Sequence, residues 1–247
     1  MVPRLFVAEG LRPEAELYRP DDRIGHYLLR VLRLPQGAEV CLFDGSGGEW
    51  DGILLSVVTP VTIQLLRHRT GERESPLAIT LVHGLSRPAA MDMVIQKGVE
   101  LGVATIVPLI TRRSVSRPDA RQSANKSERW QRIAMEASEQ CGRTRVPHIH
   151  PPTSWDRLAE LTPVGLRLLF WEEERQGMRL RSLDSPPHGS PLTLLTGPEG
   201  GLDAEEVAFA REKLGFLAVG LGPRILRTET AALAVLTMVQ TLWGDMG

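Results

Sequence analysis

The stretch Leu194-Leu195-Thr196-Gly197-Pro198-Glu199-Gly200-Gly201-Leu202-Asp203 holds the first residues whose types and spacing suit chemistry. An apolar run stops at three glycines and a proline, and a helical pattern follows. Glycines between a strand and a helix let a ligand approach backbone amides and carbonyls closely. The turn lacks the lysine and serine or threonine of a P-loop and the spacing of a dinucleotide fingerprint. Five residues with Glu199 as the one bulky side chain exceed what a connector needs, so the turn is expected to hold a ligand. Asp203 and Glu206 have capping-box spacing, which predicts a helix from Ala204.

A second loop is built alike. Leu217 to Gly222 runs out of a strand, and Pro223-Arg224-Ile225-Leu226-Arg227 leads to Thr228. Thr228 is expected to cap a long Ala- and Leu-rich helix, with Glu229 at its positive end. That helix is apolar nearly all round, which predicts burial, either within the chain or against another subunit. Gly220-Leu221-Gly222 begins like a dinucleotide fingerprint, but Ile225 stands where the third glycine would be. Two lysine-free glycine loops suit a nucleoside or other modestly charged ligand better than a triphosphate. Arg227 is placed to grip an anionic substrate group.

The elements that must position these loops alternate. Apolar strand-like runs fall at 77–83, 104–109, 165–171, 191–196 and 216–221. Helical patterns fall near 89–101, 127–141, 154–161, 203–214 and 228–243. Such alternation predicts a parallel sheet covered on both faces, with ligands at the carboxyl ends of its strands. Residues 1–70 read differently, as mostly strands. Ala38–Phe43 and Ile53–Val58 flank a hairpin turn, Asp44 to Glu49. Val61, Ile63 and Leu65 alternate with polar residues. One helix, from about Asp22 to Leu34, has Ile24, Leu28, Val31 and Leu32 at helical spacing. A small β-barrel over 1–70, a linker over 71–76 and an α/β domain over 77–247 follow.

Charge and composition narrow the classes. Of 247 residues, 42% are hydrophobic and 24% charged, the balance of a soluble globular protein. No apolar run approaches the roughly 18 residues of a membrane span, and the first residues lack the order of a signal peptide. A cytoplasmic protein without membrane association is expected. Cys41 and Cys141 fit no paired metal spacing, and buried reduced thiols rather than a metal site with His148 and His150 are expected. Net charge is −1, yet residues 112–145 carry nine Arg or Lys against four Asp or Glu. Arginine suits bidentate phosphate contact.

Gly197-Pro198-Glu199-Gly200-Gly201, followed by Leu221-Gly222-Pro223-Arg224-Ile225-Leu226-Arg227-Thr228-Glu229-Thr230-Ala231, closely resembles the signature of the RsmE family. These are bacterial 16S rRNA uridine-N3 methyltransferases of the trefoil-knotted SPOUT superfamily. Gln96-Lys97, Glu100 to Val103, Arg113-Ser114-Val115, Arg129-Trp130 and Glu136 to Cys141 with Arg143 resemble the same family. His26, Val31-Leu32-Arg33 and Gly37 resemble its PUA-like RNA-binding domain. The family's basic, glycine-containing turn before the helix that reaches Glu100 is replaced here by Ser86-Arg87-Pro88-Ala89-Ala90.

The resemblance implies a C-terminal α/β trefoil-knot domain with a parallel sheet, S-adenosylmethionine as methyl donor, and a homodimer acting on 16S rRNA or the small ribosomal subunit. By position it puts Leu195, Thr196, Gly197, Glu199, Gly200 and Gly201 in the cofactor pocket, with Leu221, Gly222, Ile225, Leu226 and Thr230. Arg227 is the candidate stabiliser of charge on the deprotonated uracil, and Glu229 its orienter, a base or a helix cap. His26, Arg30 and Arg33 are candidates to guide RNA from the first domain. Arg112, Arg113, Arg117, Arg121, Arg129, Arg132 and Arg143 are candidates to hold phosphates from the second. Other readings are ribose 2′-O methylation by a related knotted enzyme, or a catalytically silent RNA-binding assembly factor.

Overall fold

The computed structural model describes all residues except 1, 9, 10, 13–15, 59, 72 and 175–177. Glu72, in the expected linker, lies outside the described residues. The chain forms two compact units, Met1–Glu74 with Ser138–Val146, and Ser75–Ala137 with Pro147–Gly247.

The first unit holds β1 (Arg4–Phe6), β2 (Leu17–Tyr18), α1 (Asp22–His26), β3 (Glu39–Phe43), β4 (Glu49–Ser56) and β5 (Thr62–Arg69). One sheet runs β1-β3-β4-β5-β2. β1 pairs parallel to β3, and the other ladders are antiparallel. In the β3–β4 hairpin, Gly45, Gly47 and Gly48 have positive φ. Asp44 Oδ1 accepts from the Ser46 amide and hydroxyl at 2.9 and 2.6 Å. Leu28, Leu42, Leu54 and Ile63 centre one core.

The expected helix over 22–34 is an α-helix for five residues only. The Asp21 side chain accepts from the Ile24 amide at 2.7 Å, which starts it. The chain then widens into a π-turn over Tyr27–Val31, closed by Leu32 N–H to Tyr27 O at 2.9 Å. The wider turn breaks the 3.6-residue spacing, so Leu28 is buried while Val31 is 58% exposed. Arg33 follows at φ +53°, a left-handed conformation rare outside glycine.

The second unit contains β6 (Ala78–Gly84), α2 (Pro88–Glu100), β7 (Thr105–Leu109), β8 (His148–Ile149), α4 (Trp155–Leu161), β9 (Leu166–Phe170), β10 (Pro191–Thr196), α5 (Ala204–Leu214), β11 (Leu217–Val219) and α6 (Thr228–Trp243). The long α3 (Ala120–Cys141) begins here and ends in the first unit. The sheet order is β11-β9-β10-β6-β7-β8, with every ladder parallel. α4 and α5 cover one face, around Val82, Leu169, Leu195 and Val207. α2 and α6 pack together, and α6 also meets β10. From β6 the chain steps outward through β7 and β8, then returns to β9 and β10 on the other side. The reversal falls between β6 and β10, where open α/β sheets bind ligands.

α5 begins as its capping box predicts: Asp203 accepts from the Glu206 amide, and Glu206 accepts from the Asp203 amide. Gly215 ends it in the left-handed conformation. α6 differs from expectation at its first turn. Arg227, not Thr228, is the cap residue, and Thr228 turns its hydroxyl away from the helix. Within the single chain α6 buries Ala232, Val235, Leu236 and Val239 and leaves Met238 and Leu242 exposed. Cys41 is buried as expected and burial pushes its thiol up to about 11, but Cys141 is only half-buried.

Candidate functional site

The carboxyl ends of β6, β10, β9 and β11 and the start of α6 enclose a cavity of about 410 Å³. Its wall is made by Gly197–Glu199 and Gly201 after β10, by Leu221, Gly222, Arg224 and Leu226 after β11, and by Arg227–Glu229 at the α6 start. Phe170, Trp171 and Glu172 at the end of β9 and Arg87 after β6 complete it.

Local sequence explains these positions. Gly84 lets the Gly197-Pro198 turn lie against the end of β6, since a Cβ there would meet the ring and nitrogen of Pro198 at 2.3 Å. Gly201, at φ +71°, closes the turn with its amide on Pro198 O at 2.9 Å. Glu199 is held by the Arg87 amide at 2.8 Å, and the Gly200 carbonyl by Arg113 at 2.9 Å. Gly222 has positive φ, and nothing lies within 4 Å of where its Cβ would be. The resulting open shelf of main chain can admit a flat or bent ligand closely.

The cavity has ligand size and pairs apolar walls with a few polar groups. Glu172, Glu199 and Glu229 bring negative charge near Arg87, Arg224 and Arg227. This mixture fits a zwitterionic nucleoside with a cationic centre better than a polyphosphate. The glycine shelf, the aromatic Phe170 and Trp171 and the carboxylates suit a nucleoside that carries a cationic centre, as S-adenosylmethionine does.

Below the wall, His83 is fully buried, and burial lowers its imidazole to about 4. Its ring contacts Thr196, Ser86 and Thr228. Asp203, at the α5 cap, is held below the usual carboxylate range chiefly by the Glu206 amide.

Of the residues expected to bind a cofactor, Gly197, Glu199, Gly201, Leu221, Gly222 and Leu226 line the cavity, as do Arg227 and Glu229. Leu195 and Thr196 lie buried beneath it, Gly200 faces Arg113, Ile225 is 77% exposed, and Thr230 is exposed on α6. Sequence reasoning missed Phe170, Trp171 and Glu172. The usable signal was that 165–171 is a third apolar run ending beside the two glycine loops in the sheet. It missed His83 entirely, because nothing local distinguishes it, and it noted Ser86 only as part of the unusual turn before α2.

Among the expected RNA contacts, His26, Arg30 and Arg33 line one hollow of the first unit, beside the π-turn. In the second unit, Arg117 lines a hollow with Trp155 and Phe209. Arg112 pairs with Asp203 and Glu205 at 3.2 and 2.6 Å, and Arg129 pairs with Asp92. Arg121 and Arg132 are exposed along α3. Arg143 is a correction. It is 5% exposed, and its guanidinium meets Glu74 at 2.6 Å. The same carboxylate accepts from the Thr144 and Arg145 amides at 3.0 Å. A buried arginine committed to a carboxylate serves the first unit's structure and has no face for phosphate.

Known proteins resemble the whole chain. A family model described as an RNA methyltransferase domain matches residues 73–240, and an RNA methyltransferase PUA domain matches residues 20–60. The ribosomal RNA small subunit methyltransferase E of Synechocystis is 36% identical over 244 residues, covering 98% of this chain and 78% of that protein. Its counterpart in Bacillus subtilis is 34% identical over 220 residues, covering 87% and 86%. A ribosomal RNA small subunit methyltransferase E of Neisseria gonorrhoeae, crystallised with S-adenosylmethionine, superposes with a TM-score of 0.90 at 34% identity over all of both chains. A Legionella pneumophila methyltransferase, also solved with that cofactor, gives 0.90 at 34% over 99% of each.

Proposed function

As this chain belongs to the RNA methyltransferase family, and within it to the ribosomal RNA small subunit methyltransferase E family, we propose that its cavity binds S-adenosylmethionine and that the enzyme methylates N3 of one uridine in 16S rRNA. It is an S-adenosylmethionine-dependent rRNA methyltransferase. The observation that carries the reading of the site is that the two glycine-containing loops, through Gly197, Pro198, Glu199 and Gly201 after β10 and Leu221, Gly222, Arg224 and Leu226–Glu229 after β11, wall one cavity.

Bound there, the cofactor supplies a methyl group already activated by its sulfonium charge. The chain's own residues supply position and charge. The glycine turns would hold the donor against main chain, and Glu172 and Glu199, whose carboxylates line the same cavity, would offset positive charge on it. Uracil N3 gives up its proton, and that loss spreads negative charge onto the flanking carbonyl oxygens; N3 then takes the methyl as the donor's sulfur–methyl bond breaks and the donor leaves as a neutral thioether. Arg227, at the α6 N-terminus, donates to that charge, and the helix dipole points the same way. Glu229, one turn-position further on, orients Arg227 or accepts the proton. N3 lies on the pairing edge, so the target base is presented unpaired or flipped. His26, Arg30 and Arg33 contact RNA from the first unit. Arg113, Arg117, Arg121 and Arg132 do so from the second. The exposed Met93, Met238, Leu242 and Met246 form the face for a homodimer, and the protein works in the cytoplasm.

Methyl-labelled S-adenosylmethionine is incubated with purified protein and small-subunit RNA, and the nucleosides are separated. N3-methyluridine is the expected product. A ribose-methylated nucleoside, or no transfer, overturns the assignment. In Arg227→Ala, turnover is expected to fall about 10²- to 10³-fold, as when one oxyanion donor is lost. Cofactor binding stays within about threefold, the scale of a lost contact worth well under 1 kcal/mol; normal turnover removes Arg227 from this role.

A further inference from the structure

His83 sits at the end of β6, fully buried, with three hydroxyls around its ring. Thr196 Oγ1 lies 2.8 Å from Nδ1. Ser86 Oγ lies 3.1 Å and Thr228 Oγ1 3.4 Å from Nε2. Each hydroxyl has a single proton. Ser86 donates its proton to Gly84 O at 2.8 Å, and Thr228 donates its own to Gly197 O at 2.6 Å. Carbonyls only accept, so neither hydroxyl has a proton left for the imidazole. Nε2 must therefore carry hydrogen and donate to Ser86, with Thr228 as a second acceptor. Nδ1 is then bare and accepts from Thr196. The opposite tautomer would leave Nε2 a buried acceptor facing two oxygens without a donor, which costs about 1–3 kcal/mol.

The bonds thus run one way, from Thr196 through His83 to Ser86 and Thr228, and on to the Gly84 and Gly197 carbonyls. They join the end of β6, the end of β10, the first residue of the glycine turn and the first residue of α6. Thr228 lies between Arg227 and Glu229, and both it and Gly197 line the cavity. We infer that His83, held as the Nε2–H tautomer, is a positioning residue for methyl transfer: through Thr228 and Thr196 it sets the α6 start, with Arg227, at a fixed distance from the glycine turn.

The inference rests on the methyltransferase reading above, and its test has one arm that needs no activity. Nitrogen NMR of the full-length protein at neutral pH is expected to show His83 with hydrogen on Nε2 alone. An Nδ1–H tautomer or an imidazolium overturns the inference. In the kinetic arm, kcat is measured at saturating S-adenosylmethionine and RNA, per chain that binds the cofactor by calorimetry. This normalisation removes any loss from misfolded protein. Thr228→Val keeps the side-chain shape but drops the hydroxyl, and His83→Phe drops all three ring contacts. Each is expected to lower kcat at least tenfold, since a displacement of roughly 1 Å costs on the order of 10²-fold. Thr228→Ser restores the hydroxyl and is expected to remain within threefold of the wild type. Should His83→Phe fail to fold, the Thr228 pair carries the comparison. Unchanged kcat in Thr228→Val, or equal losses in Thr228→Ser and Thr228→Val, overturns the inference alone. A wild-type protein that transfers no methyl defeats the reading of the site, and this inference with it.

Discussion

Replacing Gly84 by alanine tests how closely the sheet and the cofactor turn must approach. Gly84 ends β6 and is buried. It is not among the glycines with positive φ, so alanine meets no backbone strain there. The conflict is purely steric. A Cβ at this position would lie 2.3 Å from both Cδ and N of Pro198 and 2.8 Å from the Gly197 carbonyl carbon, where ordinary contacts begin near 3.4 Å. Something must withdraw by about 1 Å. No flexible side-chain end can absorb this, because the atoms it meets are backbone and a proline ring. The turn is also held from behind: Gly197 O accepts from Thr228, and Pro198 O accepts from the Gly201 amide. The least resisted movement pushes the Gly197-Pro198 wall toward the cavity. Overpacking of this kind costs about 1–3 kcal/mol of stability. A reacting group misplaced by roughly 1 Å costs on the order of 10² in rate. Gly84→Ala is therefore expected to stay folded with a lowered melting temperature, to bind S-adenosylmethionine more weakly and to lose most of its kcat. Calorimetry, thermal melts and labelled methyl transfer measure the three effects. Gly71→Ala, where nothing lies within 4 Å of the new methyl, is the control expected to match the wild type. A Gly84→Ala enzyme within threefold of wild type in both affinity and kcat refutes the claim that this contact sets the cofactor wall.

Two further outcomes follow from buried titratable groups. His83 has its folded-state value lowered by burial to about 4 from 6.5, so unfolding takes up a proton between those values. Its stability contribution is complete above about pH 6.5 and is lost as pH falls toward 4, by about 3 kcal/mol in all. Thermal melts from pH 8 to pH 4 should show this component in the wild type and not in His83→Gln; identical acid profiles would contradict it. Removing Glu74 as Glu74→Ala takes away the carboxylate that meets the buried Arg143 guanidinium and accepts from two amides, and is expected to cost about 1–3 kcal/mol in urea unfolding. If Glu74→Ala instead keeps native stability, Arg143 is not the structural arginine described above.

Much of the second unit was legible because its signals are local. The capping box at Asp203 and Glu206 starts α5 where expected, since both bonds lie within four residues of chain. The apolar run at 191–196 and the helix at 228–243 fall on β10 and α6 residue for residue. The glycine-rich stretches marked two walls of the cavity for the same reason: close main-chain approach demands a residue without a side chain. Reading failed where a distant partner decides. Thr228 has the composition of a helix cap, but Gly197 O, far back in the chain, takes its hydroxyl, and Arg227 becomes the cap. The spacing of Ile24, Leu28 and Val31 is helical, yet a π-turn turns Val31 outward. Arg143 reads like its exposed neighbours until Glu74 is found beside it.

By itself, then, the amino-acid order determined the strand–helix alternation, the places where backbone had to stay bare, and the family to which the chain belongs. Those properties depend on residues within a turn or two of one another. Only the folded arrangement decided that Phe170, Trp171 and Glu172 form a third wall, that His83 lies among Thr196, Ser86 and Thr228, and that Arg143 is buried against Glu74. Each of these depends on which strands lie side by side, and the order β11-β9-β10-β6 is set by packing of whole elements that no short window of sequence encodes.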